Sequence, residues 1–341
     1  MSELWNLPTL WFALIGLVWL GYLFFEGFDY GVGILLPILG HDDIDRRFLL
    51  RSVWPAWDGN EVWLLVAGGA TFAAFPGWYT AIFRGFALPL VLIFLALVAR
   101  AIAFQGRVRA LDSRWTRRWD LVIFAASVAP AVLWGVAFAN LVGGVPMNAS
   151  HQFTGTVLDL LRPFAILGGL TTFALFTLQG ALFLTVQRDR VVRMRARRIG
   201  SRTWWAALAL LLVFVAWHLL HEADRLAEGG ASGVLPLAAP AALAAAGWLH
   251  RQRRDMAAFL VSGLSILLFF ATLLAGLYPR VLVSSTTPAA SLTIFNANAA
   301  PQVLTAMTIV AAVFTPVALL YQGWTYLIFR FRLQRTDLEA A

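Results

Sequence analysis

Long apolar runs, each cut off by a short polar stretch, recur along the whole chain. Nine of them, at 8–36, 54–75, 79–105, 119–142, 163–186, 203–221, 234–250, 256–277 and 303–330, are long or apolar enough to cross the hydrocarbon layer of a bilayer, about 30 Å thick. Inside lipid every backbone polar group must be satisfied within its own segment, so these runs predict helices. The seventh is the shortest, and its Pro236 and Pro240 fall in the first turns, where proline is tolerated. The first run is too long for a signal-peptide core and lacks a basic leader, so it reads as a span.

Composition sharpens this picture. Of 341 residues 60% are hydrophobic and only 13% charged, which indicates a polytopic membrane protein. There is no cysteine, which excludes disulfides, thiolate metal sites and cysteine nucleophiles. The net charge of +8 comes from arginine alone. Arginines crowd the segments around 46–51, 107–118, 188–202, 251–254 and 330–335, alternating with stretches that hold only Arg162, Arg225 and Arg280. Arg84 and Arg100 fall within the third run. By the positive-inside rule the N-terminus lies outside and the C-terminus in the cytoplasm.

One hint of an internal repeat is present. Phe25-Glu26-Gly27 in the first run is similar to Leu178-Gln179-Gly180 in the fifth, and both precede a basic stretch and a helix that starts with tryptophan. The expected fold is therefore an all-α polytopic membrane protein of nine transmembrane helices: two four-helix bundles plus one peripheral helix. As a single membrane domain over 1–341, it divides into a first half at 1–142 that carries buried acids, a second half at 163–277, an outer loop at 278–302 and a ninth helix at 303–330. The outer loop is polar but nearly uncharged, a composition that suits burial against another protein.

The candidate chemistry lies in the first two runs. An ionisable group within a membrane costs roughly 2.5–3.5 kcal/mol on insertion scales, so each one calls for a reason. Glu26 and Asp29 are three residues apart and share a helix face, as do Asp58 and Glu61. From the helical rise, Glu26 and Glu61 lie roughly 6–7 Å to the cytoplasmic side of their midpoints, and Asp29 and Asp58 roughly 10–12 Å. Two tiers of carboxyls at matched depths result, with Arg100 at about the depth of the outer tier, Asp29 and Asp58, as a charge partner. Such a ladder suits proton conduction from the cytoplasm, because a carboxyl removed from water and set beside another acid can hold and pass on a proton. The plainer alternative is structural: Asp58 caps the start of the second helix, and Arg100 neutralises Asp29.

Other chemistries find little support. His218 and His221 lie near the outer end of the sixth run, His41 and His250 beside basic stretches, and His151 in an outer loop. No two face a common mid-membrane cavity, so a haem held by this chain alone is not expected. No phosphate-binding loop, dinucleotide fingerprint or zinc-protease motif occurs. The glycines of GFDYGVG and AGGA read as sites of close helix packing rather than phosphate cradles. A proton-coupled secondary transporter fits the buried acids and the repeat, but the matched, broken helices of that class are missing. A purely structural membrane partner is the other alternative.

Three stretches together carry a resemblance. FEGFDYGVGILLP in the first run, WDGNEVWLLVAGGATFAAFPGWY in the second, and YPRVLVSSTTPAASLTIFNANAAP before the ninth resemble subunit II of the bacterial cytochrome bd-type quinol oxidases, in the same order. The resemblance implies a non-haem subunit of a terminal oxidase that oxidises membrane quinol and reduces dioxygen to water in the bacterial inner membrane. It implies that haems b and d reside in the partner, subunit I, that small single-helix subunits join, and that a structural quinone or lipid can sit in this chain. It further implies a cytoplasmic proton path through Asp58, and a dioxygen route bordered by Trp63. One departure stands out. Where an acid is expected after the phenylalanine closing the third helix, this chain reads Phe104-Gln105-Gly106-Arg107, so Gln105 cannot carry a proton as a carboxylate would.

Overall fold

The computed structural model describes residues 6–109, 112–221 and 235–328. Arg225, Arg330, Arg332 and Arg335, the first residue of the seventh expected run, the last two of the ninth, and the side chain of His221 lie outside the described residues. Ten α-helices occur among those described: α1 (Leu7–Leu39), α2 (Asp43–Ala74), α3 (Pro76–Gly85), α4 (Ala87–Arg109), α5 (Ser113–Gly143), α6 (Pro163–Val186), α7 (Arg190–His221), α8 (Leu235–Arg251), α9 (Asp255–Leu277) and α10 (Pro301–Ile328). Seven are long and apolar enough to cross a membrane, or eight if the bent pair α2–α3 counts as one. α8, at 17 residues, is shorter than the helices that qualify.

Several helices start earlier than the apolar pattern implies. Arg46, Arg47 and Arg51, expected in a loop, occupy the first turns of α2, which Asp42 caps by accepting from the Asp45 N–H at 2.7 Å. Likewise Arg114, Arg117 and Arg118 lie in α5, and Arg190 to Arg202 in α7. Hydropathy marks where lipid ends, whereas a capped helix runs on into water. The expected third span is divided. α3 folds back from α2 at 118°, and α4 starts separately after Phe86. Pro76 accounts for the first break, since the residue before proline is pushed out of the helical region; Phe75 adopts φ −132°, ψ 68°.

α1 and α6 form the centre of the packing. Where they cross, Gly31 lies against the Phe176 carbonyl and the Gly180 backbone, so a Cβ at either glycine would overlap main chain. α2 and α5 flank α1, and α4 packs along α5. On the other side α7 and α9 pack on α6, and α8 lies against α7 and α9. α10 is peripheral: Leu304 is the one buried side chain among those described in it. It is pinned at its start by Trp11, whose indole N–H donates to the Leu304 carbonyl and the Thr308 hydroxyl.

At the arginine-rich end, ion pairs join the helices. Arg107 of α4 reaches Asp120 of α5 at 2.7 Å and Asp43 of α2 at 2.5 Å, while Arg195 of α7 meets the buried Asp45. At the opposite end, segment 278–302 folds on its own chain. β1 (Arg280–Leu282) pairs antiparallel with β2 (Leu292–Thr293), and Val281, Leu282, Ile294 and Ala297 are buried. The segment is tied to the α2–α3 break by Ala299 N–H to Ala74 O (2.8 Å), and to the chain after α5 by Val145 N–H to Val283 O (3.0 Å).

Candidate functional site

Tyr22, Glu26 and Tyr30 succeed each other four residues apart on α1, so they line one face, and Asp29 stands beside it. α2 brings Trp57, Asn60 and Glu61 against that face, and α4 brings Arg100. Arg100 is the largest fully buried side chain in the described structure. Its Nη2 donates to Glu26 Oε2 at 2.6 Å and to Glu61 Oε1 at 2.9 Å. Glu61 Oε1 also accepts from the Trp57 indole N–H at 3.0 Å. The guanidinium lies over the Tyr30 ring, 4.7 Å from its centroid, a favourable place for a desolvated cation.

Asp29 does not meet Arg100 in an ion pair. Its Oδ2 accepts from the Asn60 amide at 2.8 Å. Neither of the two plain structural alternatives holds as framed: Arg100 neutralises Glu26 and Glu61, and Asp58 lies mid-helix, far from the cap of α2. Asp58 is exposed, with no hydrogen bond or ion pair to a described residue. A three-residue step places side chains about 60° apart around a helix. Glu61 therefore turns inward to Arg100 while Asp58 faces out. The four acids thus grade from surface to interior: Asp58 exposed, the Glu61 side chain 22% exposed, Glu26 and Asp29 buried.

Within the cluster Glu26 Oε1, Asp29 Oδ1 and both Nε and Nη1 of Arg100 are buried without a hydrogen-bond partner among the described residues. Three carboxyls face one guanidinium, so the cation does not match the acids one for one. Above Glu26, the Tyr22 and Tyr30 hydroxyls share a 2.5 Å hydrogen bond, and the Trp134 indole N–H donates to Tyr22.

Trp63 stands one turn beyond Asn60 but outside this cluster, packed on Gly21 and against Phe25. Gln105 is exposed. Nearby, α1 to α5 border a half-open apolar cavity of about 600 Å³, lined by Trp19, Phe72, Trp78, Phe94 and Trp134 among others. Gly68 and Gly69 of AGGA line this space and touch no other helix, unlike the glycines of α1. The Trp78 indole N–H, buried here, has no partner among the described residues.

Sequence reasoning missed Asn60 as the partner of Asp29 and Trp57 as a donor to Glu61. The signal was available: Trp57 is four residues before Glu61, and Asn60 is a buried amide inside an apolar run.

Many apolar helices around a buried cluster of ionisable groups define a multi-pass membrane protein with polar chemistry in its interior. The chain belongs to the cytochrome bd terminal oxidase subunit II family, whose profile matches residues 7–329. It is 34% identical to the cytochrome bd ubiquinol oxidase subunit 2 of Bacillus subtilis over 334 residues, covering 97% of this chain and 98% of that protein. It is 32% identical to the cytochrome bd-I ubiquinol oxidase subunit 2 of Escherichia coli K12 over 366 residues, covering 98% and 97%. Among solved structures, the bd oxidase from Geobacillus thermodenitrificans contains a chain of similar fold, with a TM-score of 0.71, 19% identity, and coverage of 95% of this chain and 98% of that one. It is thus a multi-pass bacterial membrane protein and a subunit of a quinol oxidoreductase.

Proposed function

We propose that this chain is the haem-free subunit II of a bd-type oxidase that oxidises membrane quinol and reduces dioxygen to water. It pairs with a subunit I that carries haems b and d, and with small single-helix subunits. The chain crosses the membrane nine times as two four-helix halves and a peripheral ninth helix, with the N-terminus outside.

Asp58, Glu61, Glu26 and Asp29 form part of a proton path from the arginine-rich side. The observation that carries this reading is the graded burial of the four acids around one guanidinium, with four polar atoms left unpartnered inside. Buried polar atoms need partners, and water supplies them where the surroundings are polar. Glu61 is the link, because it touches Arg100 and stands one turn from exposed Asp58. The apolar cavity suits an isoprenoid or acyl tail, and the Trp78 indole N–H would donate to a quinone carbonyl or ester oxygen. Trp63, packed on α1, borders a dioxygen route.

The test is turnover of the purified oxidase with Asp58→Asn or Glu61→Gln. Both variants are expected to retain the haem spectrum and subunit composition while quinol-driven dioxygen consumption slows several-fold. Normal turnover in both would leave the acids a structural role alone.

A further inference from the structure

A second cavity lies at the arginine-rich end, remote from the acid cluster. It measures about 660 Å³ and opens between the end of α1, the first turns of α2 and the start of α5. Arg114, Arg117, Arg118, Leu121 and Phe124 of α5 line it, together with Pro37 and Arg46. The α5 residues recur at three- and four-residue steps, so they form one stripe along the helix. The stripe changes character with depth. Three guanidinium groups occupy its first turns, and Leu121 and Phe124 follow roughly 5–10 Å further along the axis.

The charges on this stripe are uncompensated within the described chain. Asp120, which also borders the cavity, is already held by Arg46 at 3.2 Å and Arg107 at 2.7 Å. Asp112 is occupied in capping α5, accepting from the Arg114 N–H at 3.0 Å. Arg114, Arg117 and Arg118 are exposed and form no ion pair with a described residue. Arg118 lies over the ring of Trp115, 5.0 Å from its centroid, and Trp115 is itself exposed, as tryptophans at a membrane interface are.

We propose that this cavity binds an anionic glycerophospholipid, its phosphate on Arg114 and Arg117 and its acyl chains along Leu121, Phe124 and Pro37. Guanidinium forks match phosphate oxygens, and basic pockets between membrane helices select acidic head groups. The succession of cationic rim and apolar floor along one helix face matches the succession of head group and tail in a lipid. A free phosphate would satisfy the rim but leave the floor uncovered.

The experiment is native mass spectrometry of the full chain, with whatever subunits co-purify, delipidated in neutral detergent. Phosphatidylglycerol, phosphatidylcholine and inorganic phosphate are titrated separately. Phosphatidylglycerol is expected to bind at least about tenfold more tightly than phosphatidylcholine. Replacing Arg114→Gln, Arg117→Gln and Arg118→Gln together should abolish that difference. A charge-matched control, Arg190→Gln with Arg198→Gln and Arg202→Gln on α7, should preserve it. Leu121→Asn, which leaves the charge of the rim unchanged, should weaken phosphatidylglycerol binding while leaving inorganic phosphate unaffected. Equal affinity for the two lipids, equal loss in the α7 control, or an unchanged Leu121→Asn variant would each overturn the proposal. So would competition by inorganic phosphate as strong as by lipid.

Discussion

At the scale of single residues, Arg100 carries the greatest weight. One Nη2 nitrogen serves two carboxylates on two helices, and the guanidinium itself is buried. Removing one partner of a buried ion cluster costs about 3–5 kcal/mol, because the remaining charges are left uncompensated. Arg100→Gln is therefore expected to lower the unfolding midpoint sharply in a detergent thermal melt, with Arg100→Lys recovering part of the loss. A midpoint within one degree or so of the parent would mean that Glu26 and Glu61 do not depend on it. Helical spacing made much of this cluster legible, since Glu26 with Asp29 and Asp58 with Glu61 are set by residue count alone. The outward turn of Asp58 and the pairing of Asp29 with Asn60 were not, because they depend on rotation about the α2 axis, which spacing on one helix does not determine.

At the scale of helices, the crossing of α1 and α6 depends on absent side chains. Gly31 and Gly180 bring two backbones into contact, and Gly27 admits Phe176 into the same seam, while Gly33 admits Ser127 of α5 on another side of α1. A methyl group at position 180 must push α6 from α1 or strain it. Overpacking of this kind costs typically 1–3 kcal/mol. Gly180→Ala should lower the melting midpoint by several degrees, whereas Gly69→Ala, beside nothing within 4 Å, should leave it unchanged. Equal effects would refute the crossing. The glycine-rich motifs were readable as packing sites on α1 but misleading on α2, where the glycines line a cavity. Helix boundaries were hidden for a different reason: arginine-bearing turns in water are as helical as the apolar turns that follow, and hydropathy does not register them.

At the scale of the whole molecule, charge placement sets the proposed orientation. The arginine-rich ends of α2, α5 and α7 all face the same way, and segment 278–302 covers the opposite end. With no native cysteine, one introduced thiol reports its side of the membrane. Phe295→Cys, at an exposed position, should react with an impermeant maleimide in intact cells, and Arg198→Cys only after permeabilisation. The reverse pattern would invert the proposed orientation. That the far segment folds on its own chain was not legible, since its buried residues pair across a sheet too short to leave a periodic pattern. Its ties have a mechanical outcome. Stitched to the tops of α1, α2 and α5 and leading directly into α10, the strap gathers the helices at one rim, like ribs riveted at the base of a fan. Helix ends that separate at this rim must therefore break the strap's backbone hydrogen bonds as well as their own packing.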